Sequence, residues 1–126
     1  MSLKFLVVDD SVTMRRIVVN SLRNLGYEEI VEAGDGREAL TKLSTDDAIN
    51  FVITDWNMPV LSGLELIKAI RSDEKTTSLP VLMVTTRGVK EDIIDALKAR
   101  VNNYVVKPFT PQILREKIDQ ILASVS

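Results

Sequence analysis

The sequence predicts an α/β fold, with five parallel strands alternating with five helices that cover both faces of one doubly wound sheet. Three observations predict it. Short runs rich in β-branched and aromatic residues recur at residues 5–8, 30–33, 51–54, 81–84 and 104–106. Each gap between them carries apolar residues at helical spacing. The chain has 126 residues, enough for one domain with a real core, and we assign 1–126 to a single domain.

The elements follow in order. Strand 1 is the run Phe5-Leu6-Val7-Val8. Helix 1 begins near Ser11 as its N-cap, with an inner face of Ile17, Val18, Leu22 and Leu25, and Gly26 suits a left-handed C-terminal position. Strand 2 is flanked by Glu28 and Glu29 and contains Glu32; it is the most polar strand, which places it at an edge. Helix 2 spans about 36–43, and strand 3 follows. Helix 3 has Ser62 near its start and Leu64, Ile67 and Ile70 inward. Helix 4 covers about 90–99, with Ile94 and Leu97 inward. Helix 5 opens with Thr110-Pro111, a cap followed by proline at the first helical position, and turns Leu114, Ile118, Ile121 and Val125 to the core. The edge position of strand 2 gives the flavodoxin-like order 2-1-3-4-5.

Composition removes several classes of chemistry. The chain lacks cysteine and histidine, which excludes disulfides, thiolate catalysis, the commonest general base and the usual zinc ligands. A net charge of −2 argues against nucleic-acid binding. The N-terminus enters strand 1 without a signal-peptide layout, and no apolar run reaches membrane-spanning length. A cytoplasmic, monomeric protein with no membrane insertion is expected.

Strand 1 runs directly into Asp9 and Asp10. Two such carboxylates about 5 Å apart repel by roughly 3 kcal/mol at an effective dielectric near 20. A cation is the natural compensation. Ligands of open parallel sheets bind beyond the carboxyl ends of the strands. There strand 3 delivers Asp55, strand 4 delivers Thr85 and Thr86, and strand 5 delivers Lys107. Singly, each has an ordinary explanation as a cap, a strand residue or a solvated charge; their joint placement does not. Three carboxylates and one ammonium sum to −2, which a divalent ion cancels, and Mg2+ suits oxygen ligands with several retained waters. Asp10 and Asp55 are the expected direct ligands, with Asp9 direct or through water and the Asn57 backbone carbonyl completing the set. Bound magnesium attracts phosphate oxygens, and a carboxylate can then become a nucleophile and form an acyl phosphate. Asp55, alone at the centre of the sheet, is the candidate. Lys107 can pair with one phosphoryl oxygen and the Thr85 hydroxyl can donate to another.

Gly34-Asp35-Gly36 followed by Ala39 fits a loose dinucleotide-binding pattern, but it follows the second strand rather than the first. Gly36 is better read as serving the tight turn into helix 2. No P-loop pattern occurs.

The stretches VVDDS, TMRRI, DGREAL, TDWNMP, SGLELIKAIR, LPVLMVTT and NNYVVKPFTP, which run over essentially the whole chain, resemble a response-regulator receiver domain, in particular the single-domain receivers of chemotaxis. The resemblance implies that Asp55 accepts phosphate from a histidine kinase and that Asp9 and Asp10 hold magnesium. It implies that Thr85 and Tyr104 form a switch pair, that Lys107 senses the phosphate, and that the Lys107–Pro108 peptide is cis. It further implies an output face of helix 4, strand 5 and helix 5, including Lys90, Ile93, Tyr104, Val106 and Lys117, that binds the flagellar motor switch. A phosphatase is a possible further partner. Such a protein is not an enzyme beyond its own phosphoryl transfer and dephosphorylation. The alternative is a phosphotransfer intermediate or phosphate sink without motor output. Two residues depart from the pattern. Arg87 stands where an acid is usual in enteric relatives, which bears on phosphoryl lifetime. Arg100 stands where glycine is usual, so either the turn is rebuilt around Asn102 and Asn103 or a left-handed arginine is tolerated at about 1 kcal/mol.

Overall fold

A computed structural model describes residues 3–56, 58, 60–85 and 90–125. The elements are β1 (Phe5–Val8), α1 (Val12–Asn24), β2 (Ile30–Ala33), α2 (Gly36–Thr45), β3 (Phe51–Asp55), α3 (Gly63–Ser72), β4 (Val81–Thr85), α4 (Lys90–Lys98), β5 (Asn103–Val106) and α5 (Pro111–Val125). Local chemistry starts the helices. The Ser11 hydroxyl accepts from the Met14 N–H at 3.2 Å, and Asp35 accepts from the Glu38 N–H at 2.8 Å. Ser62 and Glu65 form a reciprocal capping box at the start of α3. Thr110 Oγ1 accepts from the Ile113 N–H at 3.2 Å, as its capping role requires.

The strands form one sheet in the order β2-β1-β3-β4-β5, all parallel. Side chains alternate across it with a period of two. Phe5, Val7, Phe51, Ile53, Leu82, Val84 and Val105 pack with α1 and α5 residues Val18, Val19, Leu22, Leu114, Ile118 and Ile121. Leu6, Val8, Val52, Val81 and Met83 pack on the other face with residues of α2, α3 and α4, among them Ala39, Leu66, Ile67, Ile70 and Ala96.

Three inward assignments made from spacing are corrected. Ile17 is 45% exposed, and α1 buries Val18, Val19 and Leu22 instead. Ile94 and Leu97 are also exposed, while Ala96 is buried. The face of α4 turned to the core is marked by the small Ala96, so the bulkier Ile94 and Leu97 fall on the solvent side. The side chain of Val125 lies outside the described residues.

Gly26 takes a positive φ of 97° at the end of α1, as expected. Arg100 does so as well, with φ 68°, so the left-handed turn is kept rather than rebuilt. A guanidinium holds it there. Arg71 at the end of α3 donates from Nε and Nη2 to the Arg100 carbonyl at 3.1 and 2.9 Å, from Nη1 to Leu79 O at 2.6 Å, and from Nη2 to Asn102 Oδ1 at 2.9 Å. Burial and the neighbouring Arg100 charge lower the Arg71 pKa from its ordinary value. Val60 is the unforeseen case: a β-branched residue with φ 69° in the loop between β3 and α3.

Candidate functional site

The strand ends meet as the sequence predicts. One carboxylate oxygen from each of Asp9, Asp10 and Asp55 lies within 4.8 Å of the others. Asp9 is buried, Asp55 is half-buried and Asp10 is exposed at the mouth. Asp9 is held on every side. Its N–H donates to Ala33 O at 3.1 Å, Oδ1 accepts from the Ser11 N–H at 2.9 Å, and Oδ2 accepts from Lys107 Nζ at 3.1 Å. The Lys107–Asp9 pair is nearly solvent-free, with side-chain exposures of 5% and 4%. A partnerless charge at that depth would be costly, so each requires the other.

Lys107 Nζ also lies 3.9 Å from Asp55 Oδ1, which accepts from the Trp56 N–H at 2.8 Å. Burial raises the pKa of Asp55 from the usual carboxylate value. Lys107 opposes the shift, Asp9 adds to it, the Trp56 N–H opposes it, and Asp10 adds to it. Asp55 therefore carries its negative charge against its surroundings. A hard cation among three oxygen donors would relieve that, and the donor set fits magnesium. Asn57 and Arg87 lie outside the described residues, as do the side chains of Lys90 and Ile93.

Thr85 is buried at the end of β4. Its carbonyl accepts from the Lys107 N–H at 2.7 Å, so β4 and β5 deliver their terminal residues together. Tyr104 is partly buried against the core on the face of the sheet shared with α2, α3 and α4, with Lys117 Nζ 5.7 Å from its ring centroid. Val106 is 39% exposed on the same edge strand. The Lys107–Pro108 peptide is cis.

Sequence reasoning assigned no role to two features that shape the site. Gly63 donates its N–H to Trp56 O at 2.9 Å, and a Cβ there would meet Asp55 O and lie 2.9 Å from Trp56 Cα. Arg15 Nη1 donates to the Asp9 carbonyl at 2.7 Å while its Nε donates to Glu32 Oε1 at 2.9 Å. A signal for Arg15 existed: a cation that close to a helix N-terminus opposes the helix dipole and calls for a local reason.

The response regulator receiver domain profile matches residues 5–119. The chain belongs to the response regulator receiver domain family. Among receivers, it is 53% identical over 122 residues to chemotaxis protein CheY1 of Helicobacter pylori, covering 97% of this chain and 98% of that one. It is 50% identical to chemotaxis protein CheY of Pseudomonas aeruginosa over 98% of this chain and 99% of that one. The receiver fold is shared with CheY4 of Vibrio cholerae, at a TM-score of 0.88 and 36% identity over 96% of this chain and 99% of that chain. A response regulator structure from Chloroflexus aurantiacus gives a TM-score of 0.91 at 34% identity, over 98% of this chain and 99% of that chain.

Proposed function

We propose that this receiver is a chemotaxis response regulator that accepts a phosphoryl group on Asp55 from a histidine kinase and, once phosphorylated, binds the flagellar motor switch. The observation that carries the reading is the position of Asp55: at the end of the central strand, within 4.8 Å of two further carboxylate donors, with the Lys107 ammonium 3.9 Å away. The names of the relatives from Helicobacter pylori and Pseudomonas aeruginosa, both chemotaxis proteins of the CheY type, support the pathway. No helix among the described residues is long and apolar enough to cross a membrane, which agrees with action in the cytoplasm.

In this reading Asp9, Asp10 and Asp55 hold the magnesium ion, with the Asn57 carbonyl as a further donor. When bound, magnesium offsets the negative charge of the carboxylates and of the incoming phosphoryl oxygens. An Asp55 carboxylate oxygen forms a bond to phosphorus as the P–N bond to the donor phosphohistidine breaks, and the ring, protonated beforehand on its other nitrogen, leaves with that electron pair as neutral imidazole. Lys107 is placed to pair with a phosphoryl oxygen and the Thr85 hydroxyl to donate to another. Thr85 and Tyr104 then carry the change to the face made by α4, β5 and α5. The protein performs only its own phosphoryl transfer and loss, and is not an enzyme toward other substrates.

Labelling with acetyl phosphate tests the site. Wild type should acquire acid-labile, magnesium-dependent phosphate and Asp55→Asn none; undiminished labelling of that variant would sink the assignment. Capture of a motor-switch peptide by the beryllofluoride-bound protein tests the output. Normal phosphorylation without capture would leave a phosphate sink as the function.

A further inference from the structure

Glu32 and Arg15 remain outside the chemistry described so far. Glu32 lies on the edge strand β2, where a charged side chain needs no explanation beyond solvation. Yet it accepts from Arg15 Nε at 2.9 Å, and the Nη1 of the same guanidinium donates to the Asp9 carbonyl at 2.7 Å. Arg15 is 17% exposed, so its charge is largely covered, while Glu32 is 44% exposed. The pair joins two elements, α1 and β2, and through the guanidinium it reaches one peptide group.

That group is the peptide joining Asp9 to Asp10. A peptide is planar, so fixing its carbonyl fixes the plane and the origin of the Asp10 side chain. Asp9 is already immobilised by Ala33, Ser11 and Lys107. Asp10 stands exposed at the mouth, and the clamped peptide is what directs it. We infer that Arg15, aimed by Glu32, is a positioning residue that sets the cation affinity of the site by holding the peptide between Asp9 and Asp10. The inference rests on the magnesium reading above. It gives β2, the most polar strand, a part in the site.

The clamp and simple electrostatics make opposite forecasts. Arg15 is a cation near a cation site, so its removal should tighten magnesium binding if charge alone matters. If it positions Asp10, removal should loosen binding, and loss of a residue that orients a metal ligand typically costs about 10–100-fold in affinity. Magnesium titration by calorimetry, with Trp56 fluorescence as a second signal, separates the two. Arg15→Gln should weaken binding about tenfold, at the low end of that range because Arg15 acts through backbone. Arg15→Lys keeps the charge but not the two-armed fork, and should fall between wild type and Arg15→Gln. Glu32→Gln should weaken binding by less, and the loss should persist at high salt, where long-range charge effects are screened. Thermal melts in chelator report the fold separately, because a purely structural residue would lower the melting midpoint without changing the affinity of folded protein. Should Arg15→Gln fail to fold, Arg15→Lys carries the test. Unchanged or tighter binding by the folded Arg15 variants would overturn the clamp alone. A wild type that takes no magnesium would overturn the metal reading and the clamp with it.

Discussion

Asp55 illustrates how a residue can be kept against the preference of its surroundings. Its pKa is raised chiefly by burial, with Asp9 and Asp10 adding to the shift and Lys107 and the Trp56 N–H opposing it. An acid whose pKa rises on folding destabilises the fold wherever it is ionised: the penalty is full above the folded value and absent below the unfolded value of about 3.9. Asp55→Asn should therefore stabilise the metal-free protein at neutral pH, because it removes a buried carboxylate whose ionised form folding disfavours. The gain should shrink as pH falls through the folded pKa of Asp55 toward the unfolded one, and saturating magnesium should narrow it by stabilising wild type alone. Urea unfolding across pH, with chelator and with magnesium, checks both. A variant no more stable than wild type at neutral pH would mean that the Lys107 contact outweighs burial.

The loop from β3 to α3 shows an element built around one missing side chain. Gly63 opens α3 against the backbone of Asp55 and Trp56, and there is no room for a methyl group. Gly63→Ala should cost about 3 kcal/mol, because backbone rather than a flexible side chain must move. It should also shift the emission of Trp56; an unaltered spectrum and stability would show that the loop yields freely. Resemblance supplied a glycine expectation at position 100, and the structure keeps the left-handed turn with arginine in place. Val60 was not legible at all, because a β-branched residue is the last one expected at positive φ. Strands were legible because buried parallel strands read as continuous β-branched runs, and the site was legible because polar residues ending such runs stand out. Ile94 and Leu97 were misread because helical periodicity reveals an apolar stripe without saying whether the core or a partner covers it. Their exposure on α4, like that of Val106 on β5, adds apolar surface to the elements proposed for output.

At the scale of the whole molecule, the period of two divides the site between the faces of the sheet. Asp9, Asp55 and Lys107 continue the alternation of Phe5, Ile53 and Val105, which face α1 and α5. Thr85 and Tyr104 continue that of Val81 and Met83, which face α2, α3 and α4. The proposed phosphoacceptor thus lies on one side of the sheet and the proposed switch pair, Thr85 and Tyr104, on the other. The same division has a consequence for biosynthesis. The face shared by α1 and α5 is made by helices from opposite ends of the element order, so strands already paired wait for Leu114, Ile118 and Ile121 to cover Phe5, Val7 and Leu82. The 15 residues of α5 take about one to three seconds to translate at roughly 5–20 residues per second. Chains arrested with residues 1–110 outside the ribosome, which hold all five strands but not α5, should be cut rapidly by protease, and chains with all 126 residues outside should resist. Equal resistance at both lengths would mean that the sheet and its first four helices hold together before the last helix arrives.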